Sequence, residues 1–194
     1  MKIIISIIIL LINFTVHSNQ ENPSIFLKNI VDETKPILIK KNNDFLEKTM
    51  EKYLDFNEIA IWITGKMIWQ TSTNKQKIEF INELKQLMLR TYSKTVYYYI
   101  DSDITFIDPK IIKNKYDFEK RVQITSVIKK HNKNINISYR LIKFNNSWRV
   151  FDIIIEGISI LKSLKTQYTD IIKTKGLNYT TTKIKILNNE QWKN

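Results

Sequence analysis

The sequence predicts an α+β fold, a helical layer packed on a curved, mainly four-stranded antiparallel sheet. Three observations predict it. Apolar residues recur at three- and four-residue steps from Phe26 to Tyr99. From Ile104 to Leu141 they recur at every second position, the period of a strand with one buried face. After Gly157 the helical spacing returns. Long helices followed by short-looped strands describe a layered α+β domain rather than alternating parallel units.

The first helix is expected to start near Pro23, a favoured early helical residue, with Phe26, Ile30 and Ile37 on its apolar face. Pro36 should kink or end it, because proline lacks the N–H that the ladder needs. A second helix begins at Asn43 or Asp44 and runs towards Tyr53. A third follows Asp55 and places Phe56, Ile59, Ile63 and Met67 on one face, with Gly65 as its stop. The clearest helix follows Ser72-Thr73, either of which can cap it. Ile81, Leu84, Met88, Tyr92, Val96 and Tyr99 form its stripe, and Phe80, Leu87 and Thr91 widen that stripe.

The strands are then read from alternation: Ile104 and Phe106, then Val122, Ile124 and Ser126, then Ile135, Ile137, Tyr139 and Leu141. Short polar loops at 131–134 and 145–146 suit hairpin turns and an antiparallel meander. The stretch from Trp148 to Ile155 is apolar on both faces except for Arg149 and Asp152, which predicts a central strand covered on each side. Gly157 is expected to turn this strand straight into a helix carrying Ile158, Leu161, Leu164, Tyr168 and Ile171. Gly176 ends that helix, and a short one from Thr180 to Leu187 closes the chain.

The N-terminus reads as an export signal. Lys2 precedes a short apolar run, and Val16-His17-Ser18 offers small residues at the −3 and −1 positions for cleavage after Ser18. The run is shorter than the roughly 20 residues that cross a bilayer. Residues 1–18 are thus expected to be a signal peptide and 19–194 a single domain. With no cysteine, neither a disulfide framework nor a thiolate metal site can form. The formal charge is +12, and loss of residues 1–18 would remove only Lys2 and leave +11. Such an excess fits anionic partners. It equally fits the compositional drift of an AT-rich genome, because the basic residues are scattered among Asn and Ile along the whole chain.

Catalytic patterns are weak. His131 stands in a Lys/Asn-rich turn and is read as solvated. Ser159 lacks the second glycine of a nucleophile elbow and any histidine to activate it, so it reads as a first-turn helix residue. Asp152 and Glu156 could in principle form an acid/base pair. A structural role is favoured, with Asp152 bonded to backbone or to an arginine such as Arg140, and both carboxylates serving backbone N–H groups near the turn. No enzyme activity, catalytic residue, metal site or cofactor is expected.

Ser147 to Leu161, with Trp148, the Phe151-Asp152 pair and then Glu156-Gly157-Ile158-Ser159, strongly resembles the closing block of the MlaC (toluene-tolerance) family. Other pieces fall in the same order over roughly Pro23 to Leu187. These are Phe56 to Gly65, Phe80 with Arg90-Thr91-Tyr92-Ser93, Tyr139-Arg140-Leu141 and Thr174-Lys175-Gly176. The chain departs from the family pattern at Ile68, where an aromatic is usual, and at Lys75-Gln76, where a Gln-Arg pair is usual. Trp69 stands one place after the expected aromatic.

The resemblance implies a periplasmic phospholipid carrier of the Mla lipid-asymmetry pathway. It would act as a monomer between an inner-membrane ABC transporter complex and an outer-membrane lipoprotein complex, without nucleic acid. It also implies that the two layers enclose an apolar pocket. The lipid-binding residues expected from the helices are Phe56, Ile59, Ile63, Phe80, Leu84, Leu87, Tyr92 and Val96. Those expected from the sheet and its following helix are Ile124, Tyr139, Leu141, Val150, Ile153, Ile155, Ile158 and Leu161. At about 0.8 kcal/mol per buried methylene, partial burial of two acyl chains gives on the order of 20 kcal/mol. Release would then need a partner. The alternative is a secreted basic module that binds anionic surfaces or nucleic acid with strongly salt-dependent affinity.

Overall fold

The computed structural model describes residues 22–107, 110–111, 121–130, 133–145 and 147–190. The expected signal peptide and His131 lie outside these residues. In chain order the helices are α1 (Pro23–Leu38), α2 (Asn43–Tyr53), α3 (Phe56–Thr64), α4 (Lys66–Thr71) and α5 (Asn74–Tyr99). The strands follow as β1 (Asp103–Phe106), β2 (Lys110–Ile111), β3 (Arg121–Lys130), β4 (Lys133–Phe144), β5 (Ser147–Ile155) and β6 (Ile158–Ser159). Two helices, α6 (Ile160–Lys175) and α7 (Leu177–Glu190), complete the described residues. The α+β class is as the sequence predicts.

Local chemistry sets the helix starts. Asn22, Asn42 and Asp55 each accept a first-turn N–H on the side chain, at 2.9 Å in all three cases. Thr73 and Gln76 form a reciprocal capping box at the head of α5. Gly65, at φ +82°, ends α3 and reorients the chain into α4. Met67 therefore leaves the α3 face assigned to it and stands 76% exposed. Thr91 is exposed too, its hydroxyl spent on the Leu87 carbonyl at 2.7 Å.

Pro36 does not stop α1, which runs two residues further. Tertiary contact explains the extension: Leu38 is buried with Leu46 and Leu89, and the Lys35 ammonium donates to the Ser102 carbonyl at 3.0 Å. Ile37 faces outward. The last helix is longer than expected, starting at Leu177 and ending at Glu190. Its buried stripe is Leu177, Thr180, Thr181, Ile184 and Asn188, where polar residues disguise the helical period. The two threonines bond back to the carbonyls of Gly176 and Leu177, which lets them be buried.

The sheet is antiparallel, curved and not closed, in the order β1-β3-β4-β5-β6. The four expected strands are β1, β3, β4 and β5. Two short ones join them, with β2 sharing the β3 edge with β1. One face carries Ile104, Phe106, Val122, Ile124, Ser126, Ile137, Tyr139 and Leu141 by cross-strand register. On β5 a bulge changes the parity. Arg140 opposes Asp152 while Leu141 opposes Val150, so Phe151 is the extra residue. That bulge lets Val150, Phe151 and Asp152 all be buried in succession.

The corner after β5 differs from the expected direct strand-to-helix turn. Glu156 (φ +48°) and Gly157 (φ +82°) form a two-residue hairpin turn, and β6 folds back on β5 with Ile155 opposite Ile158. The helix starts only at Ile160. Ser159 is its N-cap, accepting from the Lys162 N–H at 2.9 Å. Ile158 consequently sits in β6 rather than on the helix stripe. The α6 stripe is Leu161, Leu164, Tyr168 and Ile172, with Ile172 in place of Ile171.

Candidate apolar binding cavity

Among the described residues, buried side chains fall into three clusters. The largest joins α3, the first half of α5, α6, α7 and Phe151, with Ile63, Phe80, Leu84 and Ile184 fully enclosed. A second lies between α1 and the inner sheet face, around Phe26, Leu27, Ile124, Leu141 and Val150. A third joins Leu38, Leu46 and Leu89. The clusters do not fuse. Where they meet, between α1, α2, the second half of α5 and the sheet, lies a cavity of about 240 Å³.

Its walls come from separate elements. α1 contributes Leu27, Ile30, Val31, Thr34 and Leu38, and α2 with the residue after it contributes Leu46, Thr49, Met50, Tyr53 and Leu54. α5 and the residue after it give Met88, Tyr92, Ser93, Val96 and Ile100. The sheet and α6 give Phe106, Tyr139, Val150, Ile153 and Ile160. None of the described residues that line it is charged.

The few polar groups are mostly satisfied elsewhere. The Thr34 and Thr49 hydroxyls donate to the carbonyls of Ile30 and Phe45, at 2.6 and 2.8 Å. The Tyr53 hydroxyl donates to Glu33, which also pairs with Lys52 at 2.6 Å and ties α1 to α2. Those two bonds hold the Glu33 carboxyl below its ordinary range. Burial pushes the Tyr92 phenol up, and the Asp152 carboxylate adds to that. Burial also raises Tyr139, against a weak opposing contact from the Ser126 hydroxyl at 3.5 Å. Both phenols therefore stay neutral near pH 7, and the cavity offers an acyl chain little but apolar surface.

Five of the sixteen expected lipid-binding residues line this cavity: Tyr92, Val96, Tyr139, Val150 and Ile153. Phe56, Ile59, Ile63, Phe80, Leu84, Leu87 and Leu161 are packed in the largest cluster instead. Ile124 and Leu141 are fully buried in the second cluster, and Ile155 packs half-buried on the first. Ile158 is 68% exposed, as the β6 hairpin requires. The whole contribution of α1 and α2 was missed. A signal for it exists, since Leu27, Ile30, Val31, Thr34 and Leu38 hold helical spacing, as do Leu46, Thr49, Met50 and Tyr53. The interrupting threonines conceal it.

Polar groups near β5 are used structurally. Asp152, with no exposed side-chain surface, meets Arg140, Ser159 and the Leu161 N–H. Glu156 accepts from the Asn136 N–H. Among the described residues no three His, Cys, Asp or Glu side chains gather as metal ligands. Nor, among them, is any helix long and apolar enough to cross a membrane.

Comparison with known proteins places this geometry in a family. A phospholipid-binding protein from Ralstonia solanacearum, solved in complex with a phospholipid, superposes with a TM-score of 0.71 at 20% identity. The match covers 88% of this chain and 97% of that one, and it establishes the shared fold. No curated protein matches the sequence. The family model described as MlaC protein matches residues 27–185, and the chain belongs to the MlaC family.

Proposed function

We propose that this protein is a phospholipid carrier of the periplasm, exported by its N-terminal signal and working in the Mla lipid-asymmetry pathway. It would receive and deliver lipid between an outer-membrane lipoprotein complex and an inner-membrane ABC transporter complex, as a monomer and without catalysis. The observation that carries the reading is the cavity between α1, α2, α5 and the sheet, lined by twenty described residues, none of them charged. Family membership and a structural neighbour solved with phospholipid support it.

The energetics suit a carrier. With a methylene taken as equal in volume to a water in the liquid, ~30 Å³, the 240 Å³ cavity holds on the order of eight methylenes. At about 0.8 kcal/mol each, that is roughly 6 kcal/mol of gross stabilisation before any widening. Two full chains need more room than this cavity offers.

The test is organic extraction of protein purified from a Gram-negative periplasm. Near-stoichiometric phospholipid is expected, and protein that comes out empty overturns the proposal.

A further inference from the structure

Among the described residues, two surface grooves adjoin the cavity, each sharing one residue with it, and they differ in charge. One shares Leu54 and runs past Glu51, Asp55, Lys85 and Arg149. Its two cations are committed: Lys85 pairs with Glu51 at 2.7 Å, and the Arg149 guanidinium donates to the carbonyls of Glu51 and Lys52. With two carboxylates present, this groove is neutral. The other shares Ile100 and runs past Lys41, Lys94, Lys130, Tyr98 and Asp101. Three lysines against one carboxylate leave it at +2. Lys130 is held by Asp101 at 2.6 Å and by the Tyr98 carbonyl. Among the described residues, Lys41 and Lys94 have no ion-pair or hydrogen-bond partner for their ammonium groups.

The backbone adds a separate observation. Lys41 follows α1 at φ +54°, with its N–H on the Leu38 carbonyl at 2.9 Å. Glycine or asparagine adopts that conformation at lower cost. A lysine here spends stability to put an ammonium where the chain leaves the cavity wall at Leu38.

We infer that the Lys41–Lys94–Lys130 groove is a phosphate site for the lipid whose acyl chain occupies the cavity. This rests on the carrier reading and deepens it, because it places the headgroup at the Ile100 end and excludes the Leu54 end. Lys41 and Lys94 would close on the phosphate oxygens as charge-assisted donors, with Lys130 fixed behind them as a standing positive charge. Recognition would stop at the phosphate. It would be shared by every phosphodiester lipid and absent for diacylglycerol.

The test loads lipid-stripped protein from mixed vesicles of phosphatidylglycerol and diacylglycerol with identical chains, then extracts and quantifies both lipids. In the double variant Lys41→Asn, Lys94→Gln, the ratio of phosphatidylglycerol to diacylglycerol should fall about five- to tenfold, as expected for two partly exposed charge contacts. Diacylglycerol uptake should be unchanged. Asn at position 41 relieves the backbone, so the variant should melt no lower than the wild type. Lys85→Gln, in the other groove, should leave the ratio alone.

An unchanged ratio in the double variant, or an equal loss of both lipids, overturns the inference. A drop in Lys85→Gln instead moves the headgroup to the Leu54 end and overturns it too. Inorganic phosphate titrated onto the stripped protein at millimolar levels should not perturb the amide signals of residues 41 and 94, and saturation by it would make the groove a free-anion site. If the wild type takes up neither lipid, the carrier reading itself fails.

Discussion

The Asp152 carboxylate within β5 accepts the backbone N–H of Leu161, in the first turn of α6, at 3.0 Å. Its second oxygen takes the Ser159 hydroxyl at 2.7 Å and faces the Arg140 guanidinium at 3.2 Å. One fully buried side chain thus locks the strand, the β6 hairpin and the helix start together, and its negative charge lies where the helix dipole favours it.

Asp152→Ala should cost about 2 kcal/mol, because it strands a buried N–H and a half-buried hydroxyl. Arg140 adds little, since 39% of its side chain remains in water. Asp152→Asn keeps one acceptor for Leu161 and should cost about 1 kcal/mol. Urea unfolding checks both, and equal midpoints for the alanine variant and the wild type would remove Asp152 from this role.

At Gly157 the constraint is purely conformational. No atom lies within 4 Å of an added Cβ, yet φ is +82°. Gly157→Val should therefore lower stability by about 1–3 kcal/mol through backbone strain, whereas Gly157→Asn, which tolerates positive φ, should lose under about 1 kcal/mol. Thermal melts separate the two, and equal losses would mean that the space, not the angle, is limiting.

The cavity phenols predict an alkaline limit. Burial raises the Tyr92 and Tyr139 pKa values above the unfolded value of about 10. Stability from these neutral phenols is therefore fully present below pH 10 and is lost as pH rises towards their folded values. For each phenol that loss is bounded by about 1.4 kcal/mol per pH unit. The pair Tyr92→Phe, Tyr139→Phe should flatten that slope in denaturant titrations above pH 10. An unaltered slope would mean that neither phenol is protected.

The fold was legible because its signals are local. Asp55, Thr73 and Gly65 mark helix ends in the sequence and do so in the structure. The alternation from Val122 to Leu141 gives the strand faces that the β3–β4 register confirms. What failed depended on partners distant in sequence. Leu38 holds α1 past Pro36, and α5, 26 residues and about 39 Å long, meets two different neighbours along one stripe. Its Phe80–Leu87 segment faces α3, α6 and α7, while its Tyr92–Val96 segment faces the cavity. Periodicity gives that stripe as one continuous face and cannot divide it. The β6 hairpin was missed because Glu156 takes a positive φ that its residue type does not advertise.

That division of α5 gives the last prediction. Ser93→Phe adds a ring to the cavity wall and should displace on the order of four methylenes of bound chain, or roughly 3 kcal/mol of gross burial. Lipid retention should then weaken about a hundredfold while the melting temperature holds or rises, because the ring fills empty space. Ile63→Ala, in the closed cluster between α3 and α6, should do the reverse. It removes a fully buried side chain and should cost about 2–4 kcal/mol of stability, with the folded fraction still carrying lipid at the wild-type ratio. Extracted lipid per folded protein, measured beside urea unfolding, distinguishes the two walls of the helix. If Ile63→Ala empties the protein and Ser93→Phe does not, the acyl chain lies between α3, α5 and α6, and the cavity under α1 and α2 is not its site.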